Sequence, residues 1–302
     1  MILCFDIGGT KIAYGLVERG KIFDYQKILW QKPLNKEKFL QKIIEIINQL
    51  KSQGFKFKAI SLGVAGQVNF KEGSVILSPN ISKKREKIFL KKILEDKFNL
   101  PIFLDNDANC FTLGEAVFGK GKGKNFIIGL TVGSGIGGGM VIDKKIIRGK
   151  DGFAGEFGHF ILEIGGRKCL CGRRGCFEAY ASGRAMKEIY FEIFGKEKTT
   201  FEIEKEFYEK KSEAIFIVNE IARWLAIGIA NLVNILNPDL VILGGGMIRF
   251  KPFIEIALKN IKDWLLVKET KTEFLISELN ERATILGAFI LNEEYDLEKE
   301  KN

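Results

Sequence analysis

The residues of this 302-residue chain that could do chemistry are concentrated in one stretch, residues 155 to 178, GEFGHFILEIGGRKCLCGRRGCFE. It holds His159, the single histidine, and Cys169, Cys171 and Cys176, three of the five cysteines. One imidazole and three thiolates make a complete tetrahedral donor set for Zn²⁺, with no position left for a catalytic water. The cysteines lie among Gly165, Gly166, Gly172 and Gly175, which let a short loop fold back on an ion. The expectation is a structural zinc. Such a loop would fix two flanking carboxylates, Glu156 and Glu178, relative to each other.

A second group is Asp105-Asn106-Asp107, after an apolar run. A carboxylate at a strand end can accept the proton of an attacking hydroxyl. An Asx turn or a helix N-cap uses the same residues, and spacing does not separate the two. Glycine-rich turns follow apolar runs at Gly8-Gly9, at residues 133–139 and at residues 244–246. Backbone N–H groups approach phosphate oxygens where no Cβ intrudes, so this set suits a polyphosphate nucleotide. The chain has no GxxxxGK[ST], which excludes a P-loop protein. It also lacks a strand followed by GxGxxG and a helix, which counts against a dinucleotide enzyme.

The elements that must position these residues follow from periodicity. Residues 2–5, 12–17 and about 21–29 read as three strands in a meander, with a hairpin turn at Gly8-Gly9. Residues 36–51 carry Phe39, Ile43, Ile46, Ile47 and Leu50 on one helical face. A strand at 57–64, a turn at 78–80, a helix at 86–98 and a strand at 101–104 follow. The order then starts again with strands at 126–132, 140–142 and 145–147. Two copies of strand, glycine turn, strand, about 125 residues apart, predict two domains of one topology with a nucleotide cleft between them. Beyond the cysteines, helices are expected at 184–211, with a loop at 195–200, and at 213–236. A buried strand at 240–243 and helices at 252–266 and 285–291 end the chain before a charged tail.

The apolar content of 46% is enough for a proper core, and no apolar run reaches the ~20 residues of a membrane span. The start of the chain has no basic region and enters a strand at once, so no signal peptide is expected. Cys4 and Cys110 sit among apolar residues as buried thiols, and cytoplasm is the expected compartment. The net charge of +9 comes from scattered lysines, and the loop at 119–125, GKGKGKN, reads as a solvated turn, with ATP phosphates or nucleic acid as the alternative contact.

Together these pieces resemble the ROK family of sugar kinases within the actin and hexokinase superfamily. The matching pieces are Asp6-Ile7-Gly8-Gly9-Thr10-Lys11, Gly63-Val64-Ala65-Gly66, Asn106-Asp107-Ala108-Asn109, Gly133-Ser134-Gly135-Ile136-Gly137-Gly138-Gly139, Gly155-Glu156-Phe157-Gly158-His159, the cysteine run with Glu178, and Leu243-Gly244-Gly245-Gly246. They cover nearly the whole chain in family order. The resemblance implies an α/β fold of two similar ribonuclease H-like domains, residues 1–109 joined by a C-terminal helix at about 285–302, and residues 110–284 with the zinc loop. It implies Mg²⁺-assisted phosphoryl transfer from ATP to a hexose hydroxyl, with Asp107 as catalytic base. Asn106, Glu156, His159 and Glu178 would hold the sugar, with Gly66 and Asn80 nearby. Asp6 would lie near the metal and phosphate. Gly8, Gly9, Thr10, Lys11, Thr131, Gly133, Ser134 and Gly135 would line the phosphates, and Gly244 and Gly245 the adenosine side. A zinc-bound imidazole keeps one protonated nitrogen, so His159 can serve metal and sugar at once.

Glucose ranks first as substrate. Asp105-Asn106-Asp107-Ala108-Asn109-Cys110 is similar to N-acetylglucosamine kinases, and fructose, mannose, allose and N-acetylmannosamine are further options. The family also contains transcriptional repressors with a DNA-binding segment ahead of the first glycine turn. Here that turn begins at Asp6, so no nucleic-acid partner is expected, nor a membrane. A non-catalytic sugar sensor would be expected to lose the base. The family resemblance implies a homodimer or homotetramer.

Overall fold

Two five-stranded sheets with the same strand order carry the chain. The structure is a computed structural model that describes residues 1–9, 11–29, 35–77 and 87–299. Thr10, Asn80, the turn expected at 78–80 and the end of the charged tail lie outside the described residues.

The first sheet runs β3-β2-β1-β4-β7, from β1 (Ile2–Ile7), β2 (Lys11–Glu18), β3 (Lys21–Leu29), β4 (Ile60–Val64) and β7 (Ile102–Asn106). β1, β4 and β7 are parallel, and β2 and β3 add on as the antiparallel meander. A short hairpin, β5 (Gln67–Asn69) and β6 (Ser74–Leu77), lies outside the sheet. Side-chain alternation gives the sheet two buried faces. Leu3, Phe5, Ile7, Ile60, Leu62 and Val64 form one core cluster with α1 (Lys36–Ser52) and α2 (Leu90–Phe98). α1 buries the five residues of its expected stripe, and Asn35 caps it by accepting from Lys38 N at 2.8 Å. On the other face, Gly63 meets Cys110 of α3 (Asp107–Phe118) and Thr284 of α9 (Glu281–Lys299).

α3 and α9 cross with their backbones in contact. A Cβ on Gly114 would run into the Ala283 carbonyl, and one on Gly287 into that of Cys110. α9 also packs on β1, β2, β4 and β7.

The second sheet runs β10-β9-β8-β11-β12, from β8 (Phe126–Val132), β9 (Ile136–Ile142), β10 (Lys145–Ile146), β11 (Leu240–Gly244) and β12 (Glu273–Ile276). Its parallel members are β8, β11 and β12. The helices that follow are α4 (Glu178–Ala181), α5 (Gly183–Phe194), α6 (Thr200–Tyr208), α7 (Ser212–Leu236) and α8 (Lys251–Asn260). α6 opens on a capping box between Thr199 and Glu202. Among the described residues α7 alone is long and apolar enough to cross a membrane, and its apolar side packs against α4, α5, α6 and α8.

The chain divides into two compact units, residues 1–123, 139–155 and 278–302, and residues 124–138 with 156–277. The division expected between residues 109 and 110 would run through α3.

Several boundaries differ from the expectations. The strand at 57–64 starts at Ile60, and the helix at 86–98 starts at Leu90, because Ile88 is extended and bridges Val75. The helix at 252–266 ends at Asn260 and continues as a single 3₁₀ turn, Ile261–Asp263. The glycine turn at 133–139 closes by Gly135. Residues 136–139 belong to β9, where a Cβ on Gly139 would come within 2.6 Å of the Ala108 carbonyl oxygen. The hairpin β5–β6, the helices α3 and α4 and the strand β12 were not expected.

Candidate functional site

In the first unit, β1 ends at Ile7 and the chain reverses at once, with Gly8 N donating to Lys11 O at 3.0 Å. Asp6, just before that turn, is buried, and its carboxyl is pushed up to about 7. Burial is the main cause and the charge of Asp107 the next, while Lys11 and Lys27 oppose them. Lys11 is ion-paired with Glu281, the first residue of α9, which also accepts from Lys27 at 3.0 Å and from Tyr25 at 3.2 Å. Burial works against the Glu281 charge, but the two ammonium groups hold its carboxyl down at about 2.

β7 delivers Asp105-Asn106 to the start of α3. Asn106 is the N-cap, its Oδ1 accepting from Ala108 N at 2.8 Å and Asn109 N at 3.2 Å. Its Nδ2 donates to Gly66 O at 2.9 Å, which fastens the β7 end to the Gly63–Gly66 motif. Gly66 sits at φ +118°, a conformation that favours glycine. Asp107 is the first helical residue and half-buried, with Oδ1 accepting from Ala108 N at 3.0 Å. The helix N-cap is therefore Asn106 and not Asp107. Asp105 is buried and structural, because Arg148 Nε donates to it at 2.6 Å and Asn109 Nδ2 at 2.9 Å.

In the second unit, one donor atom each from His159, Cys169, Cys171 and Cys176 lies within 4.8 Å of the others. Cys169 Sγ is 3.7 Å from His159 Nδ1, and Cys171 Sγ is 3.6 Å from Cys176 Sγ. A tetrahedron with Zn–S of about 2.3 Å and Zn–N of about 2.0 Å has edges of about 3.5 to 3.8 Å, so the donor set fits zinc. Nδ1 faces the sulfurs, and Nε2 lies 4.0 Å from Glu156 Oε2. Burial pushes the Cys169 and Cys176 thiols up. For Cys171 burial is outweighed by hydrogen bonds from the Arg173 backbone and guanidinium and from the other two thiols, which lower it. Desolvation, reinforced by Glu178 and opposed by His159 and Arg173, raises Glu156.

Glu178 opens α4 and is 8% exposed. Its Oε2 accepts from Ile136 N at 3.2 Å, and its Oε1 lies 3.1 Å from Arg184 Nη2 and 3.2 Å from Cys169 Sγ. Gly133, Ser134 and Gly135 leave the carboxyl end of β8, and Gly245 and Gly246 leave that of the neighbouring β11, where Gly244 pairs with Thr131. An added Cβ on Gly133 would meet only Gly246 N, at 4.0 Å, and one on Gly246 would meet nothing within 4 Å. Open turns at the carboxyl ends of adjacent parallel strands are where such sheets bind ligands.

The structure thus groups Asp6, Gly8, Gly9, Lys11, Gly66, Asn106 and Asp107 in the first unit. It groups Thr131, Gly133, Ser134, Gly135, Glu156, His159, Glu178, Gly244, Gly245 and the three cysteines in the second. Sequence reasoning missed Glu281, Arg148 and Arg184. None of them carries a motif of its own, and Arg148 and Glu281 meet their partners from far along the chain.

The fold is the α/β architecture of the actin and hexokinase class. The chain belongs to the ROK family, which matches residues 2–295. It is 33% identical to a glucokinase of Streptomyces coelicolor over 96% of this chain and 97% of that protein. It is 31% identical to an N-acetyl-D-glucosamine kinase of Photobacterium profundum, over 95% and 98%. A xylose repressor of Caldicellulosiruptor bescii matches at 32% identity, over 85% of this chain and 69% of its own length. Among solved structures, a ROK family glucokinase from Streptomyces griseus in complex with glucose and AMPPNP superposes with a TM-score of 0.84, at 31% identity over 95% of this chain and 97% of that one.

Proposed function

We propose that this protein transfers the γ-phosphoryl group of ATP to a hexose hydroxyl, with glucose as the first-ranked acceptor and N-acetylglucosamine as the alternative. The observation that carries the reading is Asp107, the first residue of α3, set directly after the Asn106 cap and felt electrostatically by Asp6. Its carboxylate is assigned to take the proton of the attacking hydroxyl as the new O–P bond forms and the bond to ADP breaks. Asn106, Glu156, His159 and Glu178 are assigned to the sugar hydroxyls. The glycine turns are assigned to the nucleotide, whose phosphates accept from their N–H groups.

Two ions belong to this reading. Mg²⁺ prefers hard oxygen donors, so a buried carboxylate with a second acid beside it fits that ion, and the cation would neutralise phosphate charge. His159, Cys169, Cys171 and Cys176 would hold Zn²⁺, which would have a structural role in ordering the segment between Glu156 and Glu178. The similarity to glucokinases and to an N-acetyl-D-glucosamine kinase supports the sugar class. The similarity to a xylose repressor keeps a non-catalytic sugar sensor as the second reading.

The test is ADP release at fixed ATP across a panel of glucose, N-acetylglucosamine, mannose, fructose, allose and N-acetylmannosamine. The expected result is sugar-dependent ADP release with the highest kcat/KM on glucose. Sugar binding without any ADP release would favour the sensor.

A further inference from the structure

The Gly133–Gly135 turn is held from one side by the segment that carries the metal donors, and both backbone polar groups of Ile136 are involved. Ile136 N donates to Glu178 Oε2 at 3.2 Å, and the other oxygen of that carboxylate accepts from the Cys169 thiol at 3.2 Å, a proton that a metal-bound thiolate would give up. The Ile136 carbonyl packs against Gly158 so closely that a Cβ there would run into it, and Gly158 immediately precedes His159. At the other end of the turn, Gly183 N donates to Gly133 O at 2.8 Å. Gly135 lies over the same carboxylate, since a Cβ on it would run into Glu178 Oε2. Glu178 is buried and bonded to Arg184, which holds the carboxylate in place.

We propose that Glu178 is the positioning residue of the nucleotide turn, and that the metal segment supports the same turn from its other side, through Gly158. A turn that binds phosphate by its N–H groups must hold them in one geometry before the ligand arrives. Here that geometry depends on Ile136, whose N–H is held by Glu178 and whose carbonyl packs against Gly158, the neighbour of the metal donor His159. Losing the metal would free His159, and with it the Gly158 support of the Ile136 carbonyl. Glu156 stands near His159 as well, but among the described residues no hydrogen bond joins it to the turn. The two carboxylates therefore divide. Both are assigned to the sugar, and Glu178 alone also serves the nucleotide. This inference rests on the proposed function, in which the turn holds phosphate.

The experiment is calorimetric binding of AMPPNP with Mg²⁺ and without hexose. The zinc-loaded chain is compared with a chain stripped by chelator and then dialysed free of it. The loaded chain is expected to contain about one zinc, from the four-donor set. Stripping is expected to weaken AMPPNP at least tenfold, and added Zn²⁺ to restore it. In the loaded form, Glu178→Leu is expected to give the same loss with zinc content unchanged. Glu178→Gln keeps an acceptor for Ile136 N and is expected to bind AMPPNP close to the parent. Glu156→Gln is expected to weaken hexose binding only. If stripping unfolds the chain, the loaded Glu178 variants decide. Equal AMPPNP affinity in the parent and Glu178→Leu overturns the inference while the functional reading stands. Absence of AMPPNP binding by the loaded parent overturns both.

Discussion

Asn106 spans two tasks with one amide: its oxygen caps α3, and its nitrogen donates to the Gly66 carbonyl at 2.9 Å. The first task orients the helix that begins with Asp107, and the second ties that helix to the end of β4. Asn106→Ala removes both. It is expected to lower stability by about 1 to 2 kcal/mol, the usual worth of a cap, and to lower kcat by roughly 10 to 10²-fold as Asp107 loses its fixed position. Asn106→Asp keeps the cap acceptor and turns the Gly66 contact repulsive, so its melting temperature stays near the parent's while kcat still falls. Unchanged kcat in both variants would remove Asn106 from the site.

Asp107→Asn keeps the size of the side chain and an acceptor for Ala108 N. It cannot take a proton, so kcat is expected to fall by roughly 10² to 10⁴-fold, with hexose Kd measured directly and nearly unchanged. A variant with near-normal kcat, or with lost sugar binding as its only defect, would place the base elsewhere.

The nucleotide turns are best tested where a side chain meets no protein. Gly133→Val and Gly246→Val point into open space and need no left-handed backbone. Each is expected to raise the ATP KM about tenfold or more by blocking close approach to phosphate, with melting temperature and hexose Kd near the parent's. Gly135 and Gly245 are poorer probes, because a Cβ on Gly135 meets Glu178 and Gly245 sits at φ +89°. ATP kinetics unaltered in both open-site variants would mean that the nucleotide lies elsewhere.

Asp6 makes the ligand-free protein sensitive to pH. Its carboxyl is raised from 3.8 to about 7, chiefly by burial, so the folded state holds a proton that the unfolded chain gives up. The stability this lends is fully present below pH 4 and is lost as pH rises through about 7. Asp6→Asn removes the penalty of the buried charge. It is expected to exceed the parent's stability by on the order of 3 to 4 kcal/mol at pH 8 and to match it near pH 4. Thermal melts across pH 4 to 8, without Mg²⁺ or nucleotide, make the comparison. Parallel curves for the two proteins would show that Asp6 stays ionised.

Elements with a strong period were legible in the sequence, and so were donors close together along the chain. α1 shows its apolar face because the opposite side is exposed, and the four metal donors fall within one short stretch. α3 was invisible for the opposite reason. Nine of its twelve residues are buried, so its sequence has no polar side to mark the period. Residues 136–139 read as turn because glycine disfavours strands. The fold uses them as strand because α3 passes too close for a Cβ at Gly139. Arg148 and Glu281 could not be read, since nothing local says that they will meet Asp105 and Lys11.

The crossing of α3 and α9 at Gly114 and Gly287 sets an order of events during synthesis. The strands of the first sheet and the Asp107 helix are made before the second unit, whereas the helix that covers them is made after it. Until then the positions of β1, β2, β4 and β7 that α9 packs on, and the Gly114 side of α3, stay bare, and the second unit is translated in the interval. A nascent chain can therefore complete its second unit first, and it acquires a finished Asp107 environment only after translation has passed α9.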